Sequence, residues 1–207
     1  MTRLITRIAL IIGSSRAGGN GPGIAKWLSP IIQDRLDRGS SSRPYELVIV
    51  DPSKPPHPFG PVVDGSRNPS QIRNSAEYAS ETIRDWSTFV SSCSGFVILT
   101  PEYNGGYPGE LKNAIDHIFW EWKDKAALVV PYGGSGGARC AAQLKVVLNS
   151  VKLRQVSNNV QITLPKQFSG GADRVPVDSQ VFPHFLAAYV QPIEEATSEL
   201  ITLLEQA

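Results

Sequence analysis

Residues 8–21 read Ile8-Ala9-Leu10-Ile11-Ile12-Gly13-Ser14-Ser15-Arg16-Ala17-Gly18-Gly19-Asn20-Gly21, an unbroken apolar run that stops at a turn rich in glycine and serine. Such a run suits a strand covered on both faces, as in a parallel sheet between two layers of helices. The small residues after it let backbone amides turn toward an anion. Ser14 and Ser15 add hydroxyl donors, Arg16 adds charge, Asn20 closes the turn, and the next helix contributes its positive end. The turn therefore reads as a phosphate cup, with an ordinary glycine-rich connection as the plainer alternative. Two common phosphate motifs are excluded. Gly13 and Gly18 have P-loop spacing but Gly19 stands where the lysine belongs, and no register gives G-x-G-x-x-G. A single terminal phosphate fits best.

Outward from this stretch the same alternation repeats. Residues 47–50, 96–99 and 126–130 are short runs of Val, Ile, Leu, Phe and Ala bounded by turn formers, and residues 156–164 mix apolar and polar side chains as an edge strand does. Between them, Ile72, Ala76, Ala79, Ile83, Trp86 and Val90 recur at helical steps, as do Leu144, Val147, Leu148 and Val151. Ile24, Leu28, Ile31, Ile32 and Leu36 make a third stripe, which Pro30 is expected to kink or restart. Residues 182–205 have helical period with a break expected at Pro192, and the proline-rich residues 51–69 read as a surface loop. The pattern predicts one α/β domain over residues 1–207, a doubly wound parallel sheet of five strands in the order 2-1-3-4-5 with helices on both faces.

Two further glycine-rich turns follow strands three and four. The first, Thr100-Pro101-Glu102-Tyr103-Asn104-Gly105-Gly106-Tyr107-Pro108-Gly109, offers an aromatic face at Tyr103 and hydrogen bonds from Glu102, Asn104 and nearby amides to a flat polar heterocycle. Its alternative is a turn whose tyrosines pack. The second, Tyr132-Gly133-Gly134-Ser135-Gly136-Gly137, leaves room for a close approach to the backbone. In the predicted order, strands one, three and four are neighbours, so their loops converge where such folds bind ligands. A ligand with a phosphate at one end and a planar ring at the other would touch all three, which describes FMN.

Composition narrows the partners. With 207 residues, 41% hydrophobic and 19% charged, the chain has the balance of a globular protein, and a net charge of +1 offers no field for nucleic acid or anionic lipid. No apolar stretch approaches the roughly 20 residues that span a bilayer, and residues 1–12 read as the first strand rather than a signal peptide. Cys93 and Cys140 make neither a disulfide framework nor a metal motif, and His57 and His117 have no second ligand at a characteristic spacing. No metal site is expected, and a cytoplasmic location is. Trp86 reads as core, and Lys123, Asp124 and Lys125 as a solvated turn.

These residues resemble the NADPH-dependent FMN reductase family of flavodoxin-like proteins, which includes quinone, azo-dye and chromate reductases. Gly13-Ser14 and Arg16 are similar to its phosphate loop. Residues Pro101-Glu102-Tyr103-Asn104-Gly105, Pro108-Gly109 and Leu111-Lys112-Asn113-Ala114-Ile115-Asp116 are similar to its most distinctive segment. Glu121-Trp122, Lys125, Tyr132-Gly133-Gly134 and Gly136-Gly137 also follow its pattern. The resemblance implies that Ser14 and Arg16 hold the FMN phosphate, that residues 101–105 and 132–134 border the isoalloxazine ring, and that the protein is a homodimer or homotetramer with flavin sites at subunit contacts. Many relatives carry a second basic residue in the phosphate loop where this chain has Gly19, and the proline-rich stretch departs from the usual acidic pattern.

The activity implied is ping-pong: NADPH or NADH reduces bound FMN, and a small acceptor such as a quinone, azo dye, free flavin or metal oxyanion reoxidises it. No side chain is then needed as a nucleophile, and Glu102 reads as structural. Two rivals share the sequence. Gly133-Gly134-Ser135-Gly136-Gly137 satisfies G-x-S-x-G, and Asp173 or Asp178 followed by His184 gives the order of a serine esterase. An FMN-binding redox-sensing partner of a larger assembly is the other.

Overall fold

The computed structural model describes residues 5–39, 44–58, 60 and 67–206. Six parallel strands form one sheet: β1 (Thr6–Ile12), β2 (Tyr45–Val50), β3 (Cys93–Pro101), β4 (Ala126–Gly133), β5 (Arg154–Gln155) and β6 (Ile162–Thr163). Hydrogen-bonded neighbours run β2-β1-β3-β4-β5, the expected order. The fifth position differs from expectation. Instead of one edge strand over residues 156–164, β5 pairs with Ala126 and Ala127 near the start of β4, and β6 pairs with Tyr132 and Gly133 near its end. After Val156, whose N–H still donates to Ala127 O (3.0 Å), residues 157–161 leave the ladder. Glu199 on the last helix accepts hydrogen bonds there from Ser157 N (2.7 Å) and its hydroxyl (2.6 Å), bonds that serve in place of sheet pairing.

The helices are α1 (Gly21–Gly39), α2 (Glu81–Ser92), α3 (Gly109–Asp116), α4 (Ala138–Ser150), α5 (Lys166–Ser169) and α6 (Val190–Glu205). Alternate strand residues face opposite layers. Ile8, Leu10, Ile12, Val97, Leu99, Leu128 and Val130 pack with α1 and α6, whereas Ala9, Ile11, Phe96, Ile98, Ala127 and Val129 pack with α2, α3 and α4. Both faces of the central strands are thus buried, which is why their runs read as continuous rather than alternating.

Several expected boundaries move. Helix α1 passes Pro30 unbroken, because Pro30 and Lys26, whose carbonyl loses a donor, both lie on the exposed face. Ile72, Ala76 and Ala79 do not join α2. Asn68 and Asn74 accept from Ser70 N and Ala76 N, closing two 3-10 turns at 69–71 and 75–77 ahead of the helix. Pro192 starts rather than breaks α6: it falls in the first turn, where a missing N–H costs nothing, and a 3-10 turn over His184–Tyr189 precedes it. Part of the proline-rich loop, residues 59 and 61–66, lies outside the described residues.

Trp86 is core, fully buried with Nε1 donating to Ala114 O (2.9 Å), and Trp122 is buried beside it. Trp120 lies under the Arg73 guanidinium, 3.4 Å from its ring centre. Lys125 is not part of a solvated turn. Its ammonium donates to Val90 O (2.6 Å) and Ser91 O (3.1 Å), capping α2, and burial lowers its pKa to about 8.

Candidate functional site

The carboxyl ends of β1, β3 and β4 bring the three glycine-rich turns together. Gly13 lies so close to β3 that a Cβ there would stand 2.8 Å from Thr100 Cβ, so only glycine lets the first turn leave the sheet at this point. The second turn is a two-residue hairpin. Tyr103 and Gly106 exchange backbone hydrogen bonds of 2.8 and 2.9 Å, and Asn104 (φ 51°) and Gly105 (φ 83°) both take the left-handed backbone of a type I′ turn. Asn104-Gly105 therefore aims Tyr103; neither residue lines the cavity below it.

That cavity, of about 190 Å³, lies among all three turns. It is lined by residues 16–20 and by Pro101, Glu102, Tyr103, Tyr132, Gly133 and Gly134, with the Arg16 guanidinium against the Tyr103 ring. Its wall is completed by Leu164, Phe168, Ser169 and Arg174, which come from the segment after β6. None of these four carries a local sequence signal. Two larger hollows lie elsewhere. One of about 350 Å³ between residues 158–161 and α6 is lined by carboxamides and the carboxylates of Glu195 and Glu199, without a cation. Another of about 400 Å³ beside β2 is walled mainly by apolar side chains, and its Lys54 pairs with Asp51 at 3.4 Å. Of these three, the cavity between the turns alone combines cations, glycine backbone and aromatic rings among the described residues.

The phosphate end is built from different atoms than expected. Ser15 is turned away, its N–H (2.9 Å) and hydroxyl (3.2 Å) both donating to the Glu110 carboxylate at the start of α3. Burial tends to raise the pKa of Glu110, but these donors and its own backbone hold it below the usual carboxylate range. The Ser14 hydroxyl meets the Tyr103 hydroxyl at 2.8 Å and accepts from Arg16 N (3.2 Å). Asn20 is also engaged at both ends of its amide, donating to Phe168 O (2.9 Å) and accepting from Val175 N (3.0 Å). It joins the first turn to residues 168–175. Among the described residues, the N–H groups of Ala17, Gly18 and Asn20 have no acceptor, and neither Arg16 nor Arg174 makes an ion pair. Unpaired amides, two unneutralised guanidinium groups and the positive end of α1 surround the same space. This donor set fits a phosphate monoester.

Tyr132 is buried with its hydroxyl beside the start of α1, 3.0 Å from where a Cβ of Gly21 would stand. Burial, reinforced by Tyr103, pushes its phenol well above the ordinary range, so it stays protonated. Tyr132 O accepts from Glu102 N (2.9 Å), joining the second and third turns. Glu102, expected to hydrogen bond a ring, has its carboxylate engaged by the protein itself. One carboxylate oxygen takes Arg139 Nε (2.9 Å) and Nη2 (2.5 Å), and the other takes Arg139 N (3.2 Å) and Cys140 N (3.4 Å) at the start of α4. Burial opposes ionisation, yet the Arg139 charge and these donors keep the carboxyl below its usual range. Cys93 and Cys140 are buried free thiols, raised by burial, Cys140 to about 11.

The esterase arrangement is absent among the described residues. Ser135 is exposed and hydrogen bonds to none of Asp173, Asp178 and His184. The left-handed residues of its turn are Gly136 and Gly137, so no strain is placed on the serine. No group of three or more His, Cys, Asp and Glu able to hold a metal occurs among the described residues, and no described helix is long and apolar enough to cross a membrane.

A flavodoxin-like parallel sheet with a cavity lined by cations, glycine backbone and aromatic rings at the tips of β1, β3 and β4 places the chain among flavodoxin-like α/β proteins. Its family model, NADPH-dependent FMN reductase, matches residues 6–167, and the chain belongs to that family, whose members use FMN and NAD(P)H. An NAD(P)H-dependent FMN reductase of Schizosaccharomyces pombe is 34% identical over 167 residues, 80% of this chain and 77% of that one. One from Saccharomyces cerevisiae is 36% identical over 159 residues, 77% of this chain and 81% of that one. Among solved structures, a flavoenzyme NAD(P)H:(acceptor) oxidoreductase of Paracoccus denitrificans superposes with a TM-score of 0.66 at 20% identity, covering 97% of this chain and 98% of that one. This last likeness concerns the fold.

Proposed function

We propose that this chain passes electrons from NADPH or NADH to a small oxidised acceptor, such as a quinone, azo dye, free flavin or metal oxyanion, by a ping-pong sequence on one FMN. The single observation that carries the proposal is the cavity between the turns, which brings unpaired amides and cations together with Tyr103, Tyr132 and glycine backbone. FMN, when bound, would supply the two-electron chemistry between nicotinamide and acceptor. The protein's own residues bind and orient. Arg16 and the amides of Ala17, Gly18 and Asn20 would hold the phosphate, Tyr103 would offer a ring face, and the glycines at 133 and 134 would admit a flat ring close to the backbone. Glu102, committed to Arg139 and the start of α4, keeps the second and third turns in register and moves no proton.

The proposal extends to one domain over residues 1–207, a cytoplasmic location supported by two buried free thiols, and a homodimer or homotetramer. The test is an anaerobic spectrum of the purified protein before and after NADPH, then a panel of quinones, azo dyes and ferricyanide. Bleaching of the flavin bands by NADPH and their return with acceptor are expected. Flavin that stays oxidised under excess NADPH and NADH refutes the reductase.

A further inference from the structure

We propose that Arg174 is a second cation for the phosphate of the bound mononucleotide, taking the place of the basic residue that the phosphate loop lacks at Gly19. The inference rests on the FMN reading above and adds a residue to it from outside the matched family segment, which ends at residue 167.

Arg174 reaches the phosphate loop directly: its Nε donates to Gly18 O at 2.7 Å. Its Nη1 donates to Gly171 O (2.9 Å) and Asp173 O (2.6 Å), so two of its three nitrogens fix the guanidinium plane. Nη2 takes part in none of these bonds, and the side chain borders the same cavity as Arg16 and residues 17–20. No carboxylate among the described residues neutralises it. A guanidinium in this state carries full charge and unused donors next to three unpaired backbone N–H groups, an arrangement suited to a dianion.

Its position is also fixed from behind. Asn20 bonds both Phe168 O and Val175 N, and Gly23 of α1 lies so close to Val175 that a Cβ there would come within 2.0 Å of Val175 O. Residues 168–175 are therefore seated on the first turn of α1, and Arg174 is ordered before any ligand arrives. Little side-chain freedom is left to lose on binding. Gly19 itself turns its N–H to Arg16 O at 3.1 Å and offers no side chain, so the charge has to come from another part of the chain.

The test compares two ligands that differ only in the phosphate. Apoprotein is titrated with FMN and with riboflavin by fluorescence quenching, for wild type, Arg174→Gln and the double variant Gly19→Arg/Arg174→Gln. Arg174→Gln should raise the Kd for FMN at least tenfold while changing that for riboflavin less than twofold. The double variant should regain most of the lost FMN affinity, since it returns a cation to the loop. Equal weakening of both ligands, or loss that Gly19→Arg does not recover, assigns Arg174 to holding Gly18 alone and overturns the inference. An unchanged FMN Kd overturns it as well. Wild-type protein that binds neither ligand refutes the FMN reading itself, an outcome distinct from the others. Matching thermal melts of the three proteins exclude misfolding as the cause of lost binding.

Discussion

The Arg16 guanidinium lies 4.1 Å from the centre of the Tyr103 ring. The sequence suggests these two residues at opposite ends of one ligand, yet here they touch, and the hydroxyl bond from Tyr103 to Ser14 ties the same two turns a second time. A cation over an exposed ring contributes about 0.5–1 kcal/mol. A flat ring that stacks on this face of Tyr103 must displace the guanidinium, which is then released toward the phosphate end.

Tyr103→Leu removes the ring and is expected to raise the Kd for riboflavin several-fold, up to about tenfold, in keeping with a single aromatic contact. Tyr103→Phe keeps the ring and should stay within about threefold of wild type, the scale of one modest hydrogen bond. Fluorescence titration reads both. If Phe were as harmful as Leu, the hydroxyl bond to Ser14, and not stacking, would be the contribution of Tyr103.

Glu102 is 9% exposed while its partner Arg139 is 73% exposed, so the two sides of the pair should respond unequally. Arg139→Met should cost less than about 1 kcal/mol, because an exposed ion pair is weak and the backbone N–H of residue 139 still has its acceptor. Glu102→Ala strands the donors at the start of α4 and should cost about 1–2 kcal/mol in urea denaturation. Since the folded-state pKa of Glu102 lies below its unfolded value, its contribution is present above the unfolded pKa of 4.5 and fades as pH drops through the folded one.

Gly23→Ala places a methyl against the backbone of Val175, which a side-chain rotation cannot relieve. A cost of about 1–3 kcal/mol is expected. Hydrogen exchange should quicken at the Val175 amide, which Asn20 otherwise protects. Unchanged exchange and an unchanged urea midpoint would show that residues 168–175 are not seated on α1.

His57 is buried against Trp86, neither ring nitrogen makes a well-formed hydrogen bond among the described residues, and burial, opposed in part by the Pro58 backbone, lowers its pKa to about 4. The unfolded chain takes up a proton near pH 6.5 that the folded chain refuses. Stability should therefore fall with pH between 6.5 and 4, by up to about 3 kcal/mol. His57→Leu should flatten this part of the profile in urea midpoints taken from pH 7.5 to 4.5. An unaltered acid limb would trace the loss to other groups.

Strand order was legible because residues 8–12, 96–99 and 126–130 are apolar on both faces, and only a parallel sheet between helix layers buries such runs. Boundaries were less so. Asn68 and Asn74 compete for the backbone through their side chains, and that local contest does not show in an apolar stripe. In the site, the three turns could be read from their glycines. The roles of Ser15 and Asn20 could not, because Glu110 and residues 168–175 reach them across the fold. The wall formed by Phe168, Ser169 and Arg174 had one indirect signal, the basic residue missing at Gly19.

The split of the last sheet position into β5 and β6 has a consequence for how the molecule behaves in a crowded solution. An exposed row of peptide groups along a sheet border invites strands from other chains to dock, the first step toward insoluble aggregates. Here that border is two stubs of two residues each, separated by a detour held to α6, so it offers no continuous template. Straightening it by deleting part of residues 157–161 would recreate such a template and lower solubility.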